Sequence, residues 1–228
     1  MPINDFDGDT FVAYLDISGF RELMKKEKAL EALDKLYGYG YDILKKDYQV
    51  YGIFFSDLGL LYTRRINDKK KSLKSLLCVI KEINRRMLES DVMLKTSIAY
   101  GHFGYYRKNE FIRISKTATY GWGFVNAYLD NEKADDPKLQ TGQCRIVKKN
   151  LPSEIENCFL SNNCNQEDKI LEFIKDRDGD SDRYYFYWMA NSPSEISDFE
   201  EQYKSACKLE SDLKYDKILK VLKESVRK

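Results

Sequence analysis

Two short runs constrain this chain more than anything else in it. One is Phe11-Val12-Ala13-Tyr14-Leu15-Asp16-Ile17-Ser18-Gly19-Phe20; the other extends from Val50 to Tyr62. Each is apolar and strand-like, and each carries one aspartate, Asp16 or Asp57, within or at the end of the run. A buried carboxylate is costly unless it is paired, hydrogen-bonded or bound to a metal. Two of them, 41 positions apart with a helical stretch between, point to a shared divalent cation. The plain alternative has Asp16 capping the next helix and Asp57 filling a hairpin turn, and either alone is common. Their order and spacing together favour the metal.

The surrounding pattern supplies a fold. Residues 11–15 read as a buried strand, and Leu23, Leu30, Leu33, Leu36 and Tyr37 recur at helical spacing to about residue 47. Residues 50–62 predict two strands joined near Asp57. A charged start at 68–71 opens a helix with Leu73, Leu76, Leu77, Ile80, Ile83 and Met87 on one face. Residues 93–100 predict a strand ending at Gly101, 103–114 a hairpin or insertion, and 120–132 two glycines followed by a helical run. Residues 144–147 read as a short strand, 151–170 as polar loop, and 184–189 as a strand after the turn Asp178-Gly179-Asp180. From Pro193 onward one long helix is expected, with Phe199, Tyr203, Ala206, Leu209 and Leu213 as its stripe. The order β-α-α-β-β-α-β predicts an α+β fold of the ferredoxin-like kind, a mainly antiparallel sheet flanked by helices. Residues 1–192 form the domain and 193–228 its C-terminal helical extension.

Composition excludes several function classes. With 43% hydrophobic and 33% charged residues in a chain of 228, a globular core is attainable. A net charge of +1, from 38 basic and 37 acidic residues, gives no support for a nucleic-acid partner. It leaves room for a local basic pocket for a triphosphate. The five cysteines are odd in number and form no CxxC pair, as expected of reduced thiols in a cytoplasmic protein. His102 is the only histidine, so a His-rich zinc site is excluded. No apolar stretch approaches the ~20 residues of a membrane span, and the first residues lack a signal-peptide core. The run Asp176–Asp182 resembles a calcium loop only superficially: the positions requiring Gly and Glu hold Ser181 and Tyr187, so a β-turn is expected.

The oxygen ligands of Asp16 and Asp57, with the Ile17 carbonyl, suit Mg²⁺ or Mn²⁺, which keep substrate phosphates in their shell. Ser18-Gly19-Phe20 opens a helix whose N–H groups suit phosphate oxygens.

At these residues the chain resembles the class III nucleotidyl cyclases. Leu15-Asp16-Ile17-Ser18-Gly19-Phe20 is similar to their Asp-Ile-x-Gly-Phe segment, and Ser56-Asp57 stands where they carry Gly-Asp. Ser97-Ile98-Ala99-Tyr100-Gly101 is similar to their Gly-Ile-x-x-Gly strand, and Tyr120–Ala127 to the Gly-x-x-Val-Asn segment before a catalytic helix. The resemblance covers roughly residues 10–150. Within the family it is nearest the stand-alone pyrimidine cyclases of bacterial antiphage (Pycsar) defence. Those make cyclic UMP or cyclic CMP for a separate effector, which implies no direct contact with that effector here.

The resemblance implies attack of a ribose 3′-hydroxyl on the α-phosphate of UTP or CTP, with UTP favoured and two divalent cations, Mn²⁺ or Mg²⁺, assisting. It also implies a head-to-tail homodimer with composite sites. Asp16 and Asp57 come from one chain, and Asn126, a third catalytic residue, from the other. Where purine cyclases place a Lys and an Asp to select the base, this chain has Ile53 and Thr119. Tyr51 and Phe55 are candidates to fill the space of the missing ring, or ordinary core. The family's transition-state arginine corresponds to Asp130. Lys95, Lys116, Arg64, Arg65 and Arg145 are candidate replacements. Lys95 is counted with Ser18, Gly19, Phe20, Tyr51, Ile53, Phe55 and Thr119 among the substrate-contacting residues. Two alternatives stay open: a purine cyclase with atypical base selection, and a catalytically inactive cyclase-like nucleotide-binding regulator.

Overall fold

A computed structural model describes residues 5–46, 49–64, 67–111, 114–133, 137–160 and 166–227. The chain runs β1 (Phe6–Ile17), α1 (Phe20–Lys25), α2 (Ala29–Leu44), β2 (Val50–Phe55), β3 (Leu58–Thr63), α3 (Lys69–Glu89), β4 (Leu94–Phe111) and β5 (Ile114–Tyr120). It continues through α4 (Trp122–Glu132), β6 (Cys144–Val147), α5 (Ser153–Leu160), β7 (Ile174–Arg177), β8 (Asp180–Phe186), α6 (Ile196–Cys207) and α7 (Ser211–Arg227).

The eight strands form one sheet in the order β2-β3-β1-β4-β6-β8-β7, with β5 pairing the far half of β4. Every described pair is antiparallel except β4 with β6. Strand alternation divides β1 between two cores. Phe11, Ala13, Leu15 and Ile17 join the large core beneath α2, α3 and the C-terminal helices. Val12 and Tyr14 face a smaller cluster with Leu60, Tyr62, Phe103 and Ala127 under α4. Asp16 continues the second row.

Several elements differ from expectation. β4 does not end at Gly101 but runs on to Phe111, because β1 and then β5 keep satisfying its backbone. The 151–170 segment holds α5 and a 3₁₀ stretch rather than only loop. The tail is two helices, α6 and α7, separated at Lys208–Glu210. The turn at Asp178-Gly179 joins β7 to β8 as expected.

α4 reaches the sheet through a close backbone approach. A side chain on Gly123 would come within 3.0 Å of the Gly101 carbonyl. Gly121, at φ +106°, has the His102 carbonyl 2.3 Å from where a Cβ would stand. Both crowding and backbone conformation therefore require glycine there. Gly121→Ala is expected to cost at least about 1–3 kcal/mol from backbone strain alone, read as a lower urea midpoint. An unchanged midpoint would show that α4 has another way to seat.

Candidate functional site

The sequence pair meets at one corner. Asp16 lies opposite Leu58 in the β1/β3 ladder, and Ser56-Asp57 form the two-residue turn between β2 and β3. The Ile17 N–H donates to the Asp57 carbonyl at 3.1 Å, which ties the two aspartates' backbones together. Ser56 sits at φ +52°, and the Tyr37 hydroxyl of α2 donates to its carbonyl at 2.9 Å. Asp57 is thus a hairpin-turn residue, as the plain alternative held, and it is also a neighbour of Asp16.

Asp16 lies opposite Lys95 in the β1/β4 ladder, and the Lys95 Nζ rests 2.8 Å from its carboxylate. Burial pushes the Asp16 pKa up; the Lys95 bond and charge pull it down, and Glu132 and Asp57 push it up again, leaving it raised. Tyr14, on the same face, is raised first by burial and then by Glu132 and Asp16. Glu132, near the end of α4, is a third carboxylate that sequence reading did not find. One ammonium among three carboxylates leaves this corner with an unmet demand for positive charge. The donor set is oxygen-rich, with Asp16 and Asp57 side chains available, and it fits a hard divalent cation. No group of three or more His, Cys, Asp or Glu side chains converges as a metal cage among the described residues. Any cation here would lean on those two carboxylates and on nonprotein oxygens. The Ile17 side chain is buried in the large core, so only its backbone could take part.

The other predicted residues are distributed more widely. Ser18 is buried with no partner for its hydroxyl, Gly19 is at φ +73°, and Phe20 begins α1, a helix of only six residues. Phe55 is 73% exposed beside the corner, while Ile53 and Tyr51 lie further along β2, half-buried against the α4-side cluster. Thr119 pairs with Tyr105, ten positions along β4 from Lys95. At ~3.3 Å per residue that is roughly 33 Å from Asp16 along the sheet. Within one chain Thr119 is therefore remote from the aspartate corner, whereas Ile53, opposite Leu60 and so in line with Tyr14, lies on the same face of the sheet as Asp16 and one pleat away.

Asn126 faces the opposite flank of α4. It is 7% exposed, its side-chain amide nitrogen has no hydrogen-bond partner, and it lines an open cavity of about 620 Å³. Asp130, Lys133, Lys148, Lys149 and Arg183 also line it. Asp130, at the position the resemblance gives to an arginine, is buried and accepts three side chains. Ser97 Oγ donates at 2.6 Å, Arg145 through Nη2 at 2.9 Å and Nε at 3.2 Å, and Arg183 Nε at 2.5 Å. Arg145 is completely buried and gives its remaining bonds to the Asp130 and Pro137 carbonyls. It is a structural partner of Asp130 and has no surface to offer a ligand.

The other candidate replacements fare as follows. Lys95 is held by Asp16. Arg64 donates to the Asp5 carbonyl and lies over Phe6 and Tyr51. Arg65 and the Lys116 side chain lie outside the described residues. Arg183 was not among the expected residues; nothing in its local strand pattern marks it, since β8 meets α4 only in three dimensions.

A scan against family models matches none, and no curated protein matches the chain. Solved structures do. The monomeric guanylyl cyclase domain of the RhoGC fusion protein from the aquatic fungus Blastocladiella emersonii aligns with a TM-score of 0.56 at 14% identity, covering 81% of this chain and 98% of that one. The adenylyl cyclase CyaB from P. aeruginosa gives 0.54 at 15%, covering 80% and 95%. The catalytic core of a rhodopsin-guanylyl cyclase with converted specificity, in complex with ATPαS, gives 0.54 at 12%, covering 81% and 97%. The fold is that of the class III cyclase domain: a mixed, mainly antiparallel sheet flanked by helices, with C-terminal helices added. No helix among the described residues is long and apolar enough to cross a membrane.

Two stability outcomes follow. Asp130→Ala strands a fully buried guanidinium and is expected to cost about 3–5 kcal/mol in denaturant unfolding; a loss below 1 kcal/mol would show that Arg145 finds other partners. Asp16 behaves oppositely. With its pKa raised, the folded chain holds that proton more tightly than the unfolded chain, so stability falls as pH rises from the ordinary carboxylate range through the raised value. Asp16→Asn at pH 7 should therefore unfold at the same or a higher denaturant midpoint; a lower one would mean that the Lys95 pair outweighs the burial.

Proposed function

We propose that the chain is a nucleotidyl cyclase that converts a nucleoside triphosphate to its 3′,5′-cyclic nucleotide and pyrophosphate. The observation that carries this reading is the placement of two half-sites on opposite flanks of α4. The acidic corner of Asp16 and Asp57 faces one way; the Asn126 cavity, with four cationic side chains against two carboxylates, faces the other. Within one chain α4 stands between them, bonded to Tyr14 and Lys95 through Asn131 and to Arg183 through Asp130. Two copies arranged head to tail can set the corner of each against the cavity of the other. The partly exposed β2 face of Tyr51, Ile53 and Phe55 gives such a dimer apolar surface to cover.

In that arrangement Asp16 and Asp57, with the Ile17 carbonyl, would hold two divalent cations, Mg²⁺ or Mn²⁺. These would polarise the 3′-hydroxyl and offset charge at the α-phosphoryl group. Lys95, released from Asp16 as positive charge enters the corner, is free to turn toward a phosphate oxygen. Asn126, whose buried amide nitrogen lacks a partner, donates to the ribose or triphosphate of the substrate held mainly by the other chain. Lys133, Lys148 and Lys149 draw the anionic end into the cavity.

A pyrimidine substrate is favoured because Ile53 and Thr119 offer no charge pair to a purine edge, and UTP is placed before CTP on the family resemblance alone. The likeness to antiphage cyclases supports a second messenger of antiviral defence, acting on a separate effector inside the cell. Asp130 in place of the expected arginine favours an inactive, nucleotide-binding regulator instead. The net-unfavourable burial of Asp16 opposes this, since a domain without metal chemistry gains nothing from it. A purine cyclase also agrees with the structural neighbours, which are adenylyl and guanylyl cyclases.

Incubation with each of the four NTPs and Mn²⁺, read by mass spectrometry, decides among these. Cyclic UMP is expected, and Asp16→Ala or Asp57→Ala should lower its formation to background while circular dichroism stays unchanged. Cyclic AMP or cyclic GMP would overturn the base assignment. No product from any NTP would favour the regulator.

A further inference from the structure

Arg183 is built unlike the other cations of the Asn126 cavity. Lys133, Lys148 and Lys149 end long flexible stems, lying over Tyr128, Tyr184 and Trp122 respectively. Lys148 is paired with Asp176 as well. Arg183 is only 13% exposed and its guanidinium is fixed from two sides. Nε donates to Asp130 at 2.5 Å and Nη1 to Asp180 at 3.2 Å. Asp180 is itself held by the Tyr185 hydroxyl at 2.8 Å. Burial works against the Arg183 charge, but the bonds to and fields of Asp130 and Asp180 more than offset it and raise its pKa. Nη2 has no partner among the described residues. A planar cation clamped along two of its edges, with the third nitrogen left over at a cavity wall, is preorganised for an anion. The partnerless, buried amide nitrogen of Asn126 belongs to the same cavity and independently calls for an acceptor there.

Resting on the cyclase reading above, we propose that Arg183 is a catalytic residue whose Nη2 hydrogen-bonds the substrate's phosphoryl oxygens and takes up the charge that develops during cyclisation, with Asp130 as the residue that positions it. In that step the 3′-oxygen forms a bond to the α-phosphorus and its proton passes to solvent. The bond from the α-phosphorus to the bridging oxygen breaks, and pyrophosphate leaves with the electron pair. Arg183 neither gives nor takes a proton. The cation needed opposite the metals thus comes from β8, and the acidic residue on α4 serves as its clamp.

Arg183→Gln tests this, because glutamine keeps a donor for Asp130 while removing the charge. The expected result is a loss in kcat of roughly 100-fold or more, with the Kd for the nonhydrolysable α,β-methylene analogue of the accepted triphosphate changed by less than about tenfold. Added methylguanidine should restore part of the turnover to Arg183→Ala, which a purely structural role would not allow. Should Arg183→Gln melt early, Arg183→Lys, which keeps the ion pair, replaces it with the same kcat reading. A folded variant that keeps kcat within tenfold of wild type, or that loses kcat only in step with analogue binding, overturns the proposal. Wild-type protein that makes no cyclic nucleotide from any NTP overturns the cyclase reading and this inference together; turnover by wild type with an undiminished variant overturns this inference alone.

Discussion

The buried charge cluster of Asp130, Arg145 and Arg183 is the constraint on which the site's arrangement depends. A fully buried guanidinium is tolerable only when every strong bond it can make is made at once. Arg145 meets that condition through Asp130 and the Pro137 carbonyl, which places β6 against α4 with little freedom. Arg183 and Ser97 bring β8 and β4 to the same carboxylate. α4 has only a modest apolar face, chiefly Ala127 with Phe124 and Tyr128 beside it. Charge, together with the glycine contacts at its start, therefore sets where the helix lies. Asn126 stands one turn before Asp130 and Glu132 half a turn after it, so the faces they present are fixed by the same cluster.

The sheet is covered unequally. One side carries the large core and most of the helices, and the other carries α4 across its middle. α4 divides that second side, leaving a surplus of carboxylates on one flank and a surplus of cations on the other. The separation has an electrostatic logic. More cations in the aspartate corner would neutralise it, as Lys95 already partly does. In the cavity the carboxylates of Asp130 and Asp182 are outnumbered by four cations, so its field still favours an anion. Keeping the two sets apart lets the field of each be strong.

What the sequence made legible was local. Asp16 and Asp57 stood out because a carboxylate in an apolar run is visible without knowing its neighbours, and the β1 and β3 ladder then brings them together. β6 could be read residue for residue, since a short branched run between polar segments has one plausible state. The tail was harder. The apolar stripe continues in register past residue 207, yet Leu209 and Leu213 are exposed while Phe199, Tyr203 and Ala206 are buried, because the chain turns between α6 and α7. α5 was hidden by its polar residues. The charge cluster was illegible for a different reason: Asp130 finds its partners 15 and 53 residues further on, on strands whose adjacency only the assembled sheet defines. Asp130 read alone looked like the loss of a cation; beside Arg183 it is the anchor for one.

That long reach has a consequence for how the protein matures on the ribosome. Domains form as their chain emerges, N-terminal elements first, and α4 leaves the exit tunnel well ahead of β8. Until Arg145 and then Arg183 follow, docking α4 would bury the Asp130 carboxylate without its counter-charges, so the helix has reason to wait in water. The acidic corner, built from β1 and the β2–β3 hairpin, can pair much earlier. A nascent chain therefore holds its acidic half before its cationic half exists, and the two become present together only when synthesis has passed β8.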